Sequence, residues 1–540
     1  MSTDNKPMIV IGADVGSGSV RVAFIKLADG QIEATPLATH KKEITVHNPM
    51  GEMYEQNSDE IWSGLCECVQ ECLKTSKVNV SQIGGVSFSA TCSLVIIDKK
   101  KSGNDVVMWM DHRANTEADL ITNTNNAVLQ QMGGKCSPEF SLAKLLWLKR
   151  NDKQRFDDAI GFMELPDWLA WKCSGLDVKD YPRSVCSVVC KWGYDAVNKR
   201  WNDAFLDAIG LQEFAKDKSR IGEKIVNPGT HIGFVSKCAA KQLGLIDNLD
   251  AVVDISIGSP IIDAHAGVLS MLMFSPDIKN GGQSLEYDNM FCMIAGTSTC
   301  DMISTRERYF TQGVWGPYYD AIFPGYYVRE AGQSTTGILV EHVIKNSAQY
   351  YRKYKDMSMN DIIKELNEQI LKKPFKNRLN VNPCFHGSRL LANPYMRGGF
   401  YGLTMSGNGI VESYHATIEA LAYETKYILD ELKIPDLKVV LISGGLAKNE
   451  VYMQVHSDVL NIDVVTFSMG DADLMLVGAG LLGYHAVRQQ SLSTKLISYP
   501  NLEVKRYTPT KELRNYHNLK YKCFREMLES ATRIENLMKG

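Results

Sequence analysis

Two stretches of the sequence share one strand–turn–strand plan, and this repetition constrains the fold most. The first is "MIVIGADVGSGSVRVAFIKL" (residues 8–27) and the second is "NMFCMIAGTSTCDMIS" (residues 289–304). In each, an apolar run enters a short turn of glycine and hydroxyl residues and continues as a second apolar run. Elsewhere apolar β-branched runs alternate with helical patterns, which is typical of the α/β class. We therefore expect an α/β chain with two related halves, although such hairpins also recur independently.

The length of 540 residues exceeds what one compact core usually holds, so two to four domains are expected. A polar segment over residues 275–289, with two adjacent glycines between apolar regions, indicates a boundary. We predict an N-terminal domain over residues 1–270 and a C-terminal domain over residues 271–540.

The C-terminal domain should end in a helical tail from about residue 508. Thr508 is suited to the N-cap and Pro509 to the first helical position. Apolar residues at helical spacing, among them Leu519, Phe524 and Ile534, are expected to pack this helix on the domain.

Composition excludes several classes of function. The formal net charge is −3 and there is no long basic run, which argues against nucleic acid or a membrane surface as the main partner. The polar start "MSTDNKP" resembles neither a signal nor a transit peptide, and no apolar stretch is long enough to span a membrane. The odd number of cysteines, 13, indicates reduced thiols and a cytoplasmic location. We expect the clusters Cys66-Cys68-Cys72 and Cys186-Cys190 to be small buried side chains and not metal ligands.

Three glycine-rich turns could bind phosphates or a nucleotide. They are "DVGSGSVR" (residues 14–21), "GTST" (residues 296–299) and the strand-to-helix turn "SGGLAKN" (residues 443–449). Backbone amides and hydroxyls at such turns can donate to phosphate oxygens, and glycine lets a nucleotide approach closely. The chain has no Walker-type phosphate loop. The segment "GAGLLG" (residues 478–483) fits the dinucleotide pattern, but its flanks continue a helix, so helix packing is favoured and a dehydrogenase is a minor alternative.

The segment "IGSPIIDAHAG" (residues 257–267) places an acid and a histidine in apolar surroundings. A carboxylate there costs free energy unless it is hydrogen-bonded or functional. Asp263 could cap a helix, act as a catalytic base, or do both.

The motifs in this order resemble the sugar-kinase branch of the actin/hexokinase/Hsp70 fold, and within it the FGGY family of carbohydrate kinases. "PYMRGGFYGLT" (residues 394–404) is similar to the signature region of that family, and "EAGQSTTG" (residues 330–337) to another of its segments. The resemblance runs from about residue 8 to residue 490. It implies two actin-like (RNase H-like) ATPase domains with an active-site cleft between them, and phosphoryl transfer from ATP to a sugar hydroxyl.

The resemblance also implies roles for individual residues. Asp263 corresponds to the general base, and Asp14 would hold Mg²⁺ through water. The residues expected to bind ATP are Gly16, Ser17, Ser19, Arg21, Gly296, Thr297, Ser298, Gly332, Gly337, Gly444, Gly445 and Asn449.

The sugar site should be formed mainly by the first half. By resemblance, Ala90, Lys191, Asp263 and Glu330 would contact a ketopentose. The residue types of Thr91, Ser93, Trp109, Asp111 and Arg113 add hydroxyls, an aromatic face and two charges. The alternatives are that Trp109 belongs to the core and that Asp111 and Arg113 form a surface pair of little energetic weight.

"TCSLV" (residues 91–95) resembles the segment that distinguishes D-ribulokinases from related pentulose kinases, which implies D-ribulose as substrate. Ser17 replaces a commoner threonine and Ser388 a commoner Glu or Asn, and the second departure puts the substrate preference in doubt. The alternatives are an L-ribulokinase or xylulokinase, or a non-catalytic actin-like nucleotide-binding protein. The partners expected are a sugar and ATP; a homodimer fits the resemblance, although no interface is visible in the sequence.

Overall fold

A computed structural model describes most of the chain. The described residues are 8–28, 31–32, 36–99, 103–274, 285–372, 375–391, 393, 395–405, 409–468, 473–490, 492 and 502–538. The predicted boundary segment lies largely outside this range, as does Pro394 of the signature region.

The first half is built on an eight-stranded mixed sheet in which β1 runs antiparallel to β2 and parallel to β6. Strand β1, near the centre of this sheet, is apolar except at Asp14 and is buried on both faces, as expected for a strand covered by helices on each side. The strands are β1 (Met8–Val15), β2 (Ser19–Ala28), β3 (Gln31–Ile32), β4 (Ala38–Glu43), β6 (Ile83–Ala90), β12 (His231–Phe234), β13 (Ser256–Gly258) and β14 (Ile261–Ile262).

The second half is built on a seven-stranded mixed sheet with the order β17-β18-β16-β15-β21-β22-β23. Its strands are β15 (Met290–Ala295), β16 (Thr299–Thr305), β17 (Trp315–Tyr319), β18 (Tyr327–Gln333), β21 (Val439–Ser443), β22 (Asp463–Ser468) and β23 (Glu503–Tyr507).

The centres of the two sheets have the same topology. In the second sheet β15 is antiparallel to β16 and parallel to β21, just as β1 is antiparallel to β2 and parallel to β6. A further antiparallel strand continues each hairpin, β4 in the first sheet and β18 in the second. The prediction of two related halves, made from the two hairpins, is confirmed.

Smaller sheets flank these two. They contain β5 (Glu55–Gln56), β7 (Leu94–Asp98), β8 (Val106–Val107) and β9 (Ala159–Glu164) in one sheet, and the pairs β10 (Arg183–Ser184) with β11 (Ile225–Val226) and β19 (Asn380–Asn382) with β20 (Gly399–Tyr401).

Helices surround the sheets. They are α1 (Ser58–Ser76), α2 (Asn115–Thr122), α3 (Ser141–Asn151), α4 (Lys153–Asp158), α5 (Leu165–Ser174), α6 (Val185–Lys191), α7 (Asp203–Ala208), α8 (Gln212–Lys216), α9 (Lys237–Gln242), α10 (Asp263–Phe274), α11 (Gly337–Lys345), α12 (Met359–Leu371), α13 (Ile410–Leu432), α14 (Glu450–Leu460), α15 (Leu474–Arg488) and α16 (Arg514–Met538).

Helices α10 and α15 connect the two halves. They pack against each other; α15 lies on strands β1 and β6 of the first sheet, and α10 contacts β15 of the second. Glycine makes the approach of α15 possible: a Cβ atom on Gly12 would lie 2.0 Å from the carbonyl oxygen of Leu476. One of the helices that cover the first sheet therefore comes from the second half of the sequence.

The glycines of "GAGLLG" lie inside α15, and a Cβ on Gly478 would lie 2.2 Å from the carbonyl oxygen of Ala266. The predicted packing role is confirmed. The dinucleotide alternative is wrong, because it requires a strand-to-helix turn at these glycines.

The C-terminal helix begins several residues after the predicted start at about residue 508. Thr510 precedes a short 3₁₀ turn over Lys511–Leu513, and α16 begins at Arg514. Its apolar face is also only partly as predicted: Phe524 is buried, whereas Leu519 and Ile534 are more than 60% exposed. The buried face includes polar His517 and Lys520, and apolar spacing alone does not reveal such positions.

The described part of the chain holds no helix long and apolar enough to cross a membrane. All 13 cysteines are free thiols, and those at 66, 68 and 72 are buried in α1 as predicted.

Candidate active site

Asp263 is the first residue of α10, directly after strand β14. Its Oδ1 accepts a 2.7 Å hydrogen bond from the backbone N–H of Ala264. Strand β14 pairs with the end of β6, so that Ile262 is opposite Ala90. Burial, and secondarily the charge of Asp14, raises the pKa of Asp263 to about 7. The carboxyl group thus lies at the N-terminus of a helix and can hold a proton near neutral pH, as a general base does after proton transfer.

The first glycine-rich turn lies beside Asp263. Asp14, at the end of β1, is fully buried, and its Oδ1 accepts a 2.6 Å hydrogen bond from Ser89. Its Oδ2 accepts a 2.5 Å charged hydrogen bond from Arg21. Arg21 also donates to Asp473, the residue that caps α15. The turn is therefore tied to the helix that joins the two halves.

Within this turn the N–H of Gly16 donates to the carbonyl oxygen of Ser19 at 3.0 Å. The hydroxyl of Ser17 accepts a 2.9 Å hydrogen bond from the indole N–H of Trp109. The first predicted phosphate turn is thus in direct contact with Trp109 of the predicted sugar site.

The second turn packs on the N-terminus of α11. The carbonyl oxygens of Gly296 and Thr297 accept hydrogen bonds of 3.0 and 2.9 Å from the backbone N–H groups of Gly337 and Thr336. A Cβ on Gly337 would lie 2.6 Å from the carbonyl oxygen of Gly296. Gly337 therefore allows close packing here, while the side chain of Thr297 is exposed and that of Ser298 half-buried.

Gly332 lies within strand β18, and a Cβ there would lie 2.6 Å from the carbonyl oxygen of Thr299. Close packing of the strands therefore explains why this residue is glycine, and a role of Gly332 in ATP binding stays a prediction.

The third turn lies against the second. Gly444 has φ of 97°, and a Cβ there would lie 2.4 Å from the carbonyl oxygen of Ala295. Gly445 is exposed with open space above it. The two turns therefore form one surface on the second half, where flat or anionic groups can approach the backbone.

Asn449 differs from its neighbours in this turn. It is buried, it caps α14 by accepting from the N–H of Tyr452, and its amide group bonds to Asn367 (3.1 Å) and Tyr414 (2.8 Å). Its side chain has a structural role, and contact with adenosine stays a prediction.

Other residues of the predicted sugar site lie at the end of strand β6 and directly after it. Ala90, Thr91 and Ser93 are buried, and the hydroxyl groups of Thr91 and Ser93 are 3.0 Å apart. The hydroxyl of Ser93 accepts a 3.1 Å hydrogen bond from the backbone N–H of Trp109. Shared hydrogen bonds fix these residues before any ligand enters.

Asp111 and Arg113 form a buried ion pair, so the alternative of a surface pair is wrong. Arg113 donates to Asp111 at 2.8–3.0 Å and to Glu55 at 2.8 Å, and the backbone N–H of Tyr54 donates to Asp111 at 2.6 Å. The side chain of Asp111 is fully buried and that of Arg113 is 7% exposed. These contacts give the pair a structural role, and its contact with a sugar stays a prediction.

Lys191 and Glu330 come together across the two halves. Lys191 ends α6, is buried, and places Nζ 4.6 Å from the ring centre of Trp315 and 5.3 Å from that of Phe140. Trp315 pairs with Glu330 across strands β17 and β18. Burial raises the pKa of Glu330, and the positive charges of Lys191 and Arg389 oppose that shift. Among the described residues no carboxylate oxygen lies within 4 Å of Lys191 Nζ, which leaves the ammonium group able to donate to a ligand.

Three residues near Lys191 and Glu330 were not predicted: Arg389, Glu139 and Trp315. Arg389 lies 5.8 Å from the ring centre of Trp109 and 6.0 Å from that of Trp315, and its Nη2 is 3.6 Å from Glu139. Burial raises the pKa of Glu139, but the charge of Arg389, a hydrogen bond to His112 and the charge of Lys191 together lower it to about 2. Arg389 directly follows Ser388 in "FHGSRL", which offered a signal, whereas no local pattern distinguishes Glu139 or Trp315.

Comparison with known proteins identifies the family to which the chain belongs. Residues 9–257 match the N-terminal domain, and residues 291–487 the C-terminal domain, of the FGGY family of carbohydrate kinases. The chain is 33% identical to FGGY carbohydrate kinase domain-containing proteins of Danio rerio, with 98% of both chains covered, and of Homo sapiens, with 96% of both covered. It is 28% identical to a D-ribulokinase of Saccharomyces cerevisiae, over 89% of this chain and 72% of the relative.

Solved structures show the same fold. A xylulose kinase of Rhodospirillum rubrum superimposes with a TM-score of 0.77 at 17% identity, over 98% of this chain and 99% of the other. A glycerol kinase of Plasmodium falciparum, solved with ADP, superimposes with a TM-score of 0.74 at 18% identity, over 96% and 98%. The expected two-domain α/β fold is confirmed, while the predicted boundary at residue 270 falls between the two matched segments and stays a prediction. Because both domain models of one family match and the identity to family members is 33% over nearly the whole chain, the chain belongs to the FGGY family of carbohydrate kinases.

Proposed function

We propose that this carbohydrate kinase phosphorylates D-ribulose to D-ribulose 5-phosphate with Mg²⁺-ATP. The observation that carries the proposal is that Asp263, Lys191 and Glu330 lie around Cys92: the charges of all three act on the pKa of its thiol, and Cys92 lies between the hydroxyl residues Thr91 and Ser93. Such a set offers a base, a donor and an acceptor to a polyhydroxylated ketone. The similarity to a yeast D-ribulokinase supports the choice of sugar.

In the proposed step the terminal hydroxyl oxygen of the sugar attacks the γ-phosphorus of ATP. The P–O bond to ADP breaks, and the hydroxyl proton passes to the carboxylate of Asp263. Lys191 would donate a hydrogen bond to a sugar oxygen, and Glu330 would accept one from a sugar hydroxyl. The rings of Trp109 and Trp315 would cover the C–H faces of the sugar.

The phosphate side of the reaction would use the glycine-rich turns. Asp14 is suited to holding Mg²⁺ through water, because it is a buried carboxylate whose charge raises the pKa of Asp263, and a divalent cation near both carboxyl groups would relieve that repulsion. Mg²⁺ neutralises phosphate charge when it is bound. The turns at residues 296–299 and 443–445 would bind the phosphates and the adenosine of ATP.

A substrate panel tests the proposal. Purified protein is assayed for Mg²⁺- and ATP-dependent ADP release with D-ribulose, L-ribulose, D-xylulose, ribitol and glycerol. We expect the highest kcat/KM with D-ribulose, because a site that bonds particular hydroxyls penalises an epimer that leaves them unpaired. A maximum with another sugar would reject D-ribulose and keep the kinase. ATP binding without turnover of any sugar would reject catalysis and support a non-catalytic protein.

Two other predictions accompany this function. A cytoplasmic location is supported by the free state of all 13 cysteines. A homodimer also stays a prediction, which sedimentation of the purified chain would test.

A further inference from the structure

A cluster of sulfur and nitrogen atoms lies beside the sugar pocket. Cys186 and Cys190 are four residues apart on α6, so they share one face of that helix. His265 lies in the first turn of α10, two residues after Asp263. One ligand atom from each of Cys186, Cys190 and His265 lies within 4.8 Å of the others, and all three side chains are buried.

The distances match those of a metal site. The Sγ of Cys190 is 3.6 Å from the Nε2 of His265. A tetrahedral Zn²⁺ with Zn–S near 2.3 Å and Zn–N near 2.05 Å separates sulfur from nitrogen by about 3.6 Å. A thiol and an imidazole could also have this spacing through a weak S–H···N hydrogen bond, but such a bond involves only Cys190, whereas the Sγ of Cys186 also lies within 4.8 Å of the Sγ of Cys190 and of an imidazole nitrogen of His265.

His265 is also poorly hydrogen-bonded. The residue is 1% exposed, and its Nδ1 is buried with no hydrogen-bond partner among the residues that the structure describes. The sole hydrogen-bond contact described for its Nε2 is the thiol of Cys190, a weak partner. A metal ion at Nε2 would replace this weak contact with a ligand bond, but it would not give Nδ1 a partner.

Although the sequence alone led us to expect that Cys186 and Cys190 are not metal ligands, the position of His265 beside them changes that interpretation. We propose that Cys186, Cys190 and His265 bind one Zn²⁺ ion per chain. Two thiolates and an imidazole are a ligand set that suits Zn²⁺ and does not suit Mg²⁺, which prefers oxygen. Two thiolates neutralise the charge of the ion, so the buried site would carry no net charge. Three protein ligands leave a fourth position for water or another small ligand. Both cysteines lose a proton on binding, so the affinity rises with pH.

The site would link two elements of the sugar pocket. Cys190 directly precedes Lys191, and His265 follows Asp263 by two residues. A Zn²⁺ ion held by α6 and α10 would fix these two side chains relative to each other. Zinc binding itself does not depend on the sugar that the enzyme uses, so it can be tested without the proposed substrate.

The test measures Zn²⁺ binding by the reduced full-length protein, with excess Mg²⁺ present to occupy carboxylate sites. Competition with a chromophoric chelator gives stoichiometry and affinity, and Co²⁺ replaces Zn²⁺ to give a thiolate-to-cobalt charge-transfer band. We expect one ion per chain and this band in the wild type, and loss of both in Cys186→Ser and Cys190→Ser. His265→Gln should weaken binding and alter the cobalt spectrum.

Cys173→Ser is the matched control, because Cys173 is also fully buried but lies outside the cluster, in α5. It should bind Zn²⁺ like the wild type. Circular dichroism and ATP binding show whether each variant is folded. Absence of stoichiometric binding by the reduced wild type would overturn the proposal, and so would unchanged binding by folded Cys190→Ser.

Discussion

Replacement of Asp263 by asparagine should remove activity and at the same time stabilise the ligand-free protein. The structure raises the pKa of this carboxyl group from 3.8 to about 7, mainly through burial. A group with a higher pKa in the folded than in the unfolded state destabilises the fold once it is ionised. The destabilisation is therefore absent below about pH 4, grows between pH 4 and pH 7, and is constant above pH 7.

The size of the effect follows from the pKa values. At about 1.4 kcal/mol for each tenfold change in proton affinity, ionisation of Asp263 costs about 4 kcal/mol above pH 7. Part of the side chain remains in contact with solvent, so we expect about 2–4 kcal/mol. Asparagine keeps the shape and the acceptor for the N–H of Ala264 but carries no charge. The variant should thus be more stable than the wild type at pH 8, with a much smaller difference at pH 4.

The assay is urea unfolding of both proteins at pH 8 and pH 4, without nucleotide, metal or sugar. Asp250→Asn is the control, since Asp250 is exposed and its replacement should leave stability unchanged at either pH. The kcat of Asp263→Asn should fall by at least ~10²-fold with ATP binding retained. A stability difference that does not depend on pH would refute the raised pKa, and near-wild-type turnover would leave Asp263 as a helix cap alone.

Three further substitutions test other parts of the molecule. Lys191→Met should lower kcat/KM for the sugar by about 10–100-fold with little change in KM for ATP, because it removes a charged hydrogen-bond donor from the sugar site. Steady-state kinetics with each substrate varied in turn measures both constants, and an equal rise in KM for ATP would contradict a role in sugar binding. Gly12→Ala should destabilise the fold by about 1–3 kcal/mol or more, since its Cβ would meet the backbone of α15, and urea unfolding should show no such loss for Gly399→Ala, whose Cβ meets open space. Asn449→Ala should cost about 1–3 kcal/mol of stability, because it removes the N-cap of α14 and one hydrogen bond each from Asn367 and Tyr414, which keep only the bond to each other; loss of ATP affinity at unchanged stability would instead assign Asn449 to the adenosine site.

Local patterns predicted the parts of this fold that local sequence determines. The two hairpins, the strand-to-helix turn at Gly444 and the helical packing of "GAGLLG" all depend on periodicity and glycine over a few residues. The start of α16 was missed because Thr508-Pro509 is a good helix-start signal that competes with Thr510 two residues later. Buried polar residues such as Lys520 were missed because their burial depends on partners in other elements.

The site shows the same division. Asp263 was identified by its unusual surroundings in the sequence together with the family resemblance. Trp315 and Glu139, by contrast, join the pocket only because the second half of the chain folds against the first. Likewise Cys190 and His265 are 75 positions apart, and each alone looks like an ordinary buried residue. Long-range contacts of this kind leave no mark in a single sequence.

The charges around Asp263 explain why its pKa should change during the reaction cycle. Asp14, the strongest charged influence, raises this pKa, and Arg21 opposes the shift. Arg21, however, shares its guanidinium group between Asp14 and Asp473, so no cation among the described residues is paired with Asp263 alone. A divalent cation near Asp14 would favour the ionised form of Asp263 and lower its pKa. The acid limb of kcat, measured with saturating Mg²⁺-ATP and sugar, should therefore lie at lower pH than the pKa obtained from the pH dependence of ligand-free stability. Equal values would mean that the cation does not bind close enough to Asp263 to act on it.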